Sequence, residues 1–254
     1  MAPTFACDLT WEEMRDLAAA GAVAIVPVGS TEAHGPHLPL DTDVAIATEV
    51  ATRAQRLLAA EDERSVVFPP LSYGVTEFAG GFAGTVTVSA AALEALVADV
   101  ARSLADQGFG PVVLVNHHLE PDHFAALHRA AERAAPVRVV VPDHRRKPWA
   151  LALGEEFCRG GSHAGRYETS LMLAVDPARV RADRSSLPSL DVNLGKAIRE
   201  GARTFLEIGG ERAYFGDPAA ATAEEGEKLL DLLAGQVCEE VLSAKGKVPC
   251  SSRP

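Results

Sequence analysis

Two hydrophobic registers alternate along this chain. Short continuous apolar runs, the pattern of strands buried on both faces, give way to longer stretches whose apolar residues recur every three or four positions. "AVAIVPVG" (22–29) is the first run and is closed by Gly29; a helix follows over about 44–58, with Asp41, Thr42 or Asp43 placed to cap it. "SVVFPPL" (65–71) is a short strand stopped by Pro69 and Pro70, and "GTVTVS" (84–89) is expected to be another. Ser89 caps an alanine- and leucine-rich helix reaching about Asp106. "GPVVLVN" (110–116) is the clearest strand, Pro121 suits the first turn of the helix over 121–135, and "VRVVVP" (137–142) is the next strand. "RYETSLMLAV" (166–175) reads as helix, "AEEGEKLLDLLAGQVCEEVLSA" (223–244) as an amphipathic helix, and 176–220 between them as loops with short pieces. This order predicts a single α/β domain over 1–245, a mostly parallel sheet flanked by helices on both faces, with a flexible tail at 246–254.

Composition narrows the function classes. With 254 residues, 47% hydrophobic and 23% charged, the chain can bury a substantial core. A formal net charge of -11 gives no basic face for nucleic acid. No apolar run approaches a membrane span and the N-terminus has no secretory pattern, so no membrane partner and a cytoplasmic location are expected. Cys7, Cys158, Cys238 and Cys250 are scattered and are expected to be free thiols.

The polar residues gather where strands end. Glu32, His34, His37, Asp41 and Asp43 follow the first strand, and "NHHLEPDH" (116–123) follows the strongest one. In parallel sheets ligands bind beyond the carboxyl ends of the strands, where such loops converge. Glu32, His34, Asp43, His118 and Glu120 offer nitrogen and oxygen donors without sulfur, a set suited to Zn²⁺ or Mn²⁺. Five donors exceed one tetrahedral ion with an open position but suit two ions sharing a bridging carboxylate. A metal pair about 3.5–4 Å apart is a common hydrolytic device. Taken singly, each of these carboxylates could cap a helix and each imidazole could be structural. In "GGSHAGRYETSLML" His163 precedes a helix carrying Glu168 in its first turn, placed either for acid–base work near neutral pH or merely for capping. His128 and His144 read as structural or solvated, and Arg145, Arg146 and Lys147 as a solvated loop.

"VPVGSTEAHGPHLPLDTD", "YGVTEFAGGFAGTVTVS", "VLVNHHLEPDH" and "SHAGRYETSLML" together resemble the creatininase (creatinine amidohydrolase) family of binuclear-metal hydrolases, over about residues 10–180. The resemblance implies a compact α/β fold, two divalent ions, and hydrolysis of a C–N amide bond in a cyclic or formylated small molecule by a hydroxide bridging the ions. It also implies a homo-oligomer, hexamers being known in the family. Carried over by motif, Glu32, Asp43 and His118 would hold one ion, and His34, Asp43 and Glu120 the other. His163 and Glu120 would be the catalytic residues, His163 relaying the proton to the leaving nitrogen, and Glu168 would support the site or ligate. His37, Asp41 and His117 become candidates for orienting the ligands, and Tyr73, Phe78, Phe82 and Trp149 for pocket walls. His117 and Pro121 depart from the glycine and asparagine common in the family's N-G-H-G-G-N segment, and Ala83 from its proline, which weakens creatinine itself as the substrate. The family also contains a mycofactocin-precursor peptidase and hydrolases of other ring or keto compounds. A carbon–carbon lyase and a non-catalytic binding subunit are the alternatives from other classes.

Overall fold

A computed structural model of the chain describes residues 4–160 and 163–247. Strands β1 (Val23–Val28), β2 (Ser65–Val67), β3 (Val112–Asn116) and β4 (Val139–Val140) form one parallel sheet in the order β2-β1-β3-β4. The helices are α1 (Trp11–Ala19), α2 (Thr42–Ala60), α3 (Ala90–Asp106), α4 (Pro121–Arg133), α5 (Trp149–Ala152), α6 (Glu155–Arg159), α7 (Arg166–Val175), α8 (Leu194–Arg199) and α9 (Ala223–Ala244).

Strand pleating sorts the core into two layers. Val23 and Ile25 of β1, with Val113 and Val115 of β3, face the cluster built from α2, α7 and α9. Ala24, Val26 and Val28, with Val112 and Leu114, face the one built from α1, α3 and α4. Both central strands are buried throughout, which is why each reads as a continuous apolar run. Their register pairs Val28 with Asn116, so the two strands end level and their outgoing loops lie side by side.

Several elements depart from expectation. "GTVTVS" is not a sheet strand: Val86 makes an isolated antiparallel bridge to Thr31, and the Thr85 and Thr87 hydroxyls accept from the Ala33 and Thr76 N–H groups, so this segment's bonds go to the loops above the sheet. "VRVVVP" contributes only Val139–Val140 to the ladder. Helix α1 was not anticipated although its signal was present: Thr10 and Glu13 form a reciprocal capping box. Lys247, placed in the tail by sequence, is tied at 2.8 Å to Glu63; residues 248–254, Cys250 included, lie outside the described residues. Cys7, Cys158 and Cys238 are free thiols. Among the described residues no helix is long and apolar enough to cross a membrane.

Close packing of α9 on α7 depends on a missing side chain. A Cβ built at Gly226 would stand 1.8 Å from the Ser170 carbonyl oxygen, so Gly226→Ala must push the helices apart. The expected loss is about 3 kcal/mol in urea denaturation; unchanged stability would show that the helices do not pack this closely. At the opposite end of the sheet, burial would raise the Glu63 carboxyl, but Lys245 and Lys247 outweigh it and hold it below its ordinary 4.5. A depressed carboxyl contributes its stability above the unfolded pKa and loses it as pH falls through the folded one. Glu63→Gln should therefore cost about 1 kcal/mol at pH 7, and chemical denaturation should show the gap closing as pH drops below 4.5.

Candidate metal centre

Two loops and two helix starts converge above the ends of β1 and β3. The loop after β1 brings Glu32 and His34, and the loop after β3 brings His118 and Glu120; all four are buried. Asp43 arrives on the first turn of α2, which approaches closely because Gly29 has no side chain: a Cβ there would lie 2.7 Å from the Val44 nitrogen. Glu168 arrives on the first turn of α7. His163 precedes it across Ala164, whose φ of +51° is rare for a residue with a side chain and marks a backbone held under constraint at the site. Gly161 and Ser162 lie outside the described residues.

Backbone carbonyls fix the imidazoles. His34 Nδ1 donates to the Glu32 carbonyl (3.2 Å), His118 Nε2 to the Val75 carbonyl (2.7 Å) and His163 Nε2 to the Ala33 carbonyl (2.9 Å). A carbonyl only accepts, so each of these nitrogens carries the proton and the other nitrogen turns its lone pair to the cluster. His34 Nε2 faces Asp43 Oδ1 at 3.3 Å and Glu168 Oε2 at 3.5 Å; His118 Nδ1 faces Asp43 Oδ2 at 3.1 Å and Glu32 Oε1 at 3.3 Å; His163 Nδ1 faces Glu32 Oε1 at 3.7 Å. Lone pairs aimed at carboxylate oxygens repel unless a cation, either a proton or a metal ion, lies between. Buried His34 Nε2 and Asp43 Oδ2 accordingly have no hydrogen-bond partner. The residues present thus fit divalent metal, and among the described residues three donor groups lie close enough to hold an ion: Glu32–His118–Glu120, His34–Asp43–Glu168 and Glu32–His34–His163.

Protonation equilibria report the same demand for positive charge. Burial would raise Glu32, but His118 holds it down at about 2; burial would lower His34, but Asp43 and Glu168 lift it to about 10. Burial drives Glu120 up to about 7 and Glu168 up to about 8. His163 is pushed down to about 4 by burial and by His34, so it is neutral at physiological pH.

The geometry regroups the expected donors. Glu120 stands with Glu32 and His118 rather than with His34, because the Glu77 and Phe78 N–H groups hold its two oxygens at 3.0 and 3.3 Å. Glu168 takes the place beside His34 and Asp43, steadied by the Ala164 N–H at 2.6 Å. His117 lies behind Glu168, its Nε2 3.9 Å from Oε1. His37 bonds Thr169 at 2.9 Å, next to Glu168, and joins no donor group. Asp41 does not orient the donors; it is half-exposed and pairs with Arg179. Of the expected pocket walls Phe78 lines the cavity over the donors, whereas Tyr73 is exposed, Phe82 packs against the Phe205 and Phe215 cluster, and Trp149 is half-buried outside the cavity.

Sequence reasoning missed part of the machinery. Segment 75–78 clamps the site: besides the Val75 carbonyl and the Glu77 and Phe78 amides, the Thr76 hydroxyl donates to Glu32 Oε2. Asn116 braces the His118 backbone through both its amide atoms, and His123 Nε2 donates to its Oδ1 at 3.0 Å. Leu194, Ile198 and Phe205, from the region read as loops, form the apolar mouth.

A parallel α/β sheet with a buried carboxylate–imidazole cluster beyond its strand ends defines a metal-dependent hydrolase. The sequence profile described as creatininase, creatinine amidohydrolase, matches residues 7–241, and the chain belongs to the creatininase family. Among curated relatives, the mycofactocin precursor peptide peptidase of Mycolicibacterium smegmatis is 36% identical over 212 residues, covering 82% of this chain and 79% of that protein. The creatinine amidohydrolase of Pseudomonas putida is 34% identical over 199 residues, covering 71% and 75%. A solved structure titled "Creatininase Mn" superposes with a TM-score of 0.76 at 24% identity, covering 95% of this chain and 98% of that one. A mutant creatininase of Zn-Zn type superposes at 0.74 with 25% identity, covering 96% and 98%. The chain is thus a creatininase-family amidohydrolase with a candidate metal centre.

A bound ion relieves the carboxylate crowding, so stripping metal should destabilise the fold. An ion at 1,000 times its dissociation constant adds about 4 kcal/mol, which should raise Tm by roughly 10 °C in Zn²⁺ or Mn²⁺ over EDTA. Identical melting curves would remove the metal from this account.

Proposed function

We propose that the chain hydrolyses an amide bond within a peptide, using two divalent ions held by Glu32–His118–Glu120 and His34–Asp43–Glu168. The observation that carries the pair is Asp43: its two oxygens face histidines of different donor groups, Oδ1 toward His34 and Oδ2 toward His118, the disposition of a bridging carboxylate. Bound ions would supply a water nucleophile at neutral pH and polarise the scissile carbonyl. The chain's own residues do the rest. His163, neutral and with its Nε2–H committed to Ala33, has Nδ1 available to take the proton of the attacking water and return it to the leaving nitrogen. The 75–78 clamp keeps Glu32 and Glu120 aimed, and the mouth of Phe78, Leu119, Leu194, Ile198 and Phe205 excludes water and favours apolar side chains.

Peptide hydrolysis is favoured by four curated relatives, 36–37% identical, that are named mycofactocin precursor peptide peptidases. The Pseudomonas putida relative supports a second reading, opening of a small cyclic amide. Metal-loaded protein should cleave N-acylated peptides with apolar residues and leave creatinine and simple lactams intact; the reverse pattern would transfer the proposal to the second reading. Metal analysis should find about two ions in the wild type and one in His34→Ala. His163→Ala should keep both while kcat falls about 100- to 10,000-fold; a smaller loss would remove His163 from the proton path.

A further inference from the structure

The cleft continues past the donor cluster. An outer lobe meets the metal chamber along Leu119, Pro121, Leu194 and Ile198. A substrate longer than a small ring would reach from the inner chamber into this lobe. Its charge is one-sided: Arg145 and Arg199 line it, and no Asp or Glu does among the described residues.

The two cations differ in what they already hold. Arg145 grips both oxygens of Asp143, at 2.8 and 3.0 Å, and stacks over Phe124 at 3.4 Å, so its charge is matched and its plane fixed. Arg199, on the last turn of α8, makes no side-chain hydrogen bond or ion pair among the described residues. Its guanidinium passes over Gly195, where an added Cβ would meet Nη1 at 3.5 Å. The lobe therefore presents an uncompensated planar donor beside an apolar floor, in a chain of net charge -11 whose reaction chamber is packed with carboxylates. A cation beyond the chamber wall gives an anionic substrate group a favourable place to settle, and a guanidinium fork matches a carboxylate.

We infer that Arg199 anchors a carboxylate of the peptide substrate in this outer lobe while the scissile amide lies at the donor cluster. The inference rests on the peptide reading above, and it makes the enzyme selective for peptides bearing an anionic group on that side. The carboxylate can be the C-terminus or an acidic side chain, and the guanidinium fork suits either.

The test uses Zn²⁺-loaded protein and N-acetylated peptides of three to five residues containing Val and Phe. Each is prepared as the free acid and as the C-terminal amide; a third set, amidated throughout, carries Asp or Asn internally. Kd is measured by calorimetry and KM from cleavage. The free acid, or the Asp peptide, should bind about tenfold more tightly than its neutral counterpart. Arg199→Gln should erase that preference by weakening the charged peptide about tenfold relative to the neutral one, and Arg199→Lys should retain part of it. Equal binding of charged and neutral forms by the wild type, or an equal loss for both in Arg199→Gln, would overturn the inference. A carboxylate preference in binding without cleavage of any peptide would sustain the anchor and defeat the peptide reading instead.

Discussion

Four carboxyl groups, Glu32, Asp43, Glu120 and Glu168, share a dry space above the sheet with three imidazoles, and this crowding is the constraint the site is built around. Buried anions with donor atoms within 4.8 Å of one another are tolerable only with positive charge among them. The protein does not supply that charge as Lys or Arg, since none lines the chamber. It holds imidazole nitrogens ready to take up a proton or a metal ion instead, each aimed by a backbone carbonyl on the ring's other nitrogen. The carbonyls belong to Glu32 and Ala33 of the first donor loop and to Val75 of the clamp, so two neighbouring segments fix the protonation of the imidazoles. Displacing either loop would at once lose an aimed lone pair and leave a carboxylate uncompensated.

The scaffold answers that demand through backbone proximity more than through side-chain choice. Level ends of β1 and β3 put the two donor loops side by side. Gly29 admits the first turn of α2 and so brings in Asp43. Helix α7 brings in Glu168, and its seat depends on α9, whose Gly226 accepts the Ser170 carbonyl at the distance a side chain would occupy. The two core layers therefore do more than exclude water: they set the relative heights of four chain segments that meet at one cluster.

Much of this was legible in the sequence, and the failures share a cause. Continuous apolar runs identified β1 and β3, since strands buried on both faces leave no alternation to misread. Helix α3 begins after Ser89 and α4 at Pro121, as the capping signals imply. Five of the donors were recognisable because two loops with paired carboxylate and imidazole follow two buried strands. Their partition between groups was not legible, because it depends on which backbone amides each carboxylate meets: Glu120 is claimed by Glu77 and Phe78, from a segment more than forty positions away. "GTVTVS" has the β-branched alternation of a strand, yet its partners are loop groups, and propensity cannot tell a ladder from a bridge. The mouth was invisible for a related reason. Leu194, Ile198 and Phe205 come from short helical pieces in a region rich in turn residues, where no periodicity lasts long enough to mark a buried face.

That origin separates chemistry from selectivity. The donors and His163 come from 32–43, 118–120 and 163–168, whereas the mouth and the Arg199 lobe draw on 193–205. These outer pieces share the walls of the outer lobe with Leu119 and Pro121, and Phe205 lies against the His163 ring at 4.4 Å and in one apolar cluster with Ala33. A change at 194–203 can therefore reshape what the cleft accepts while leaving the charge balance of the cluster intact. The reverse does not hold, because no donor can move without unsettling its neighbours. The cluster and the walls above it are thus separable parts of the fold, and the walls are the part that the charge balance of the cluster does not constrain.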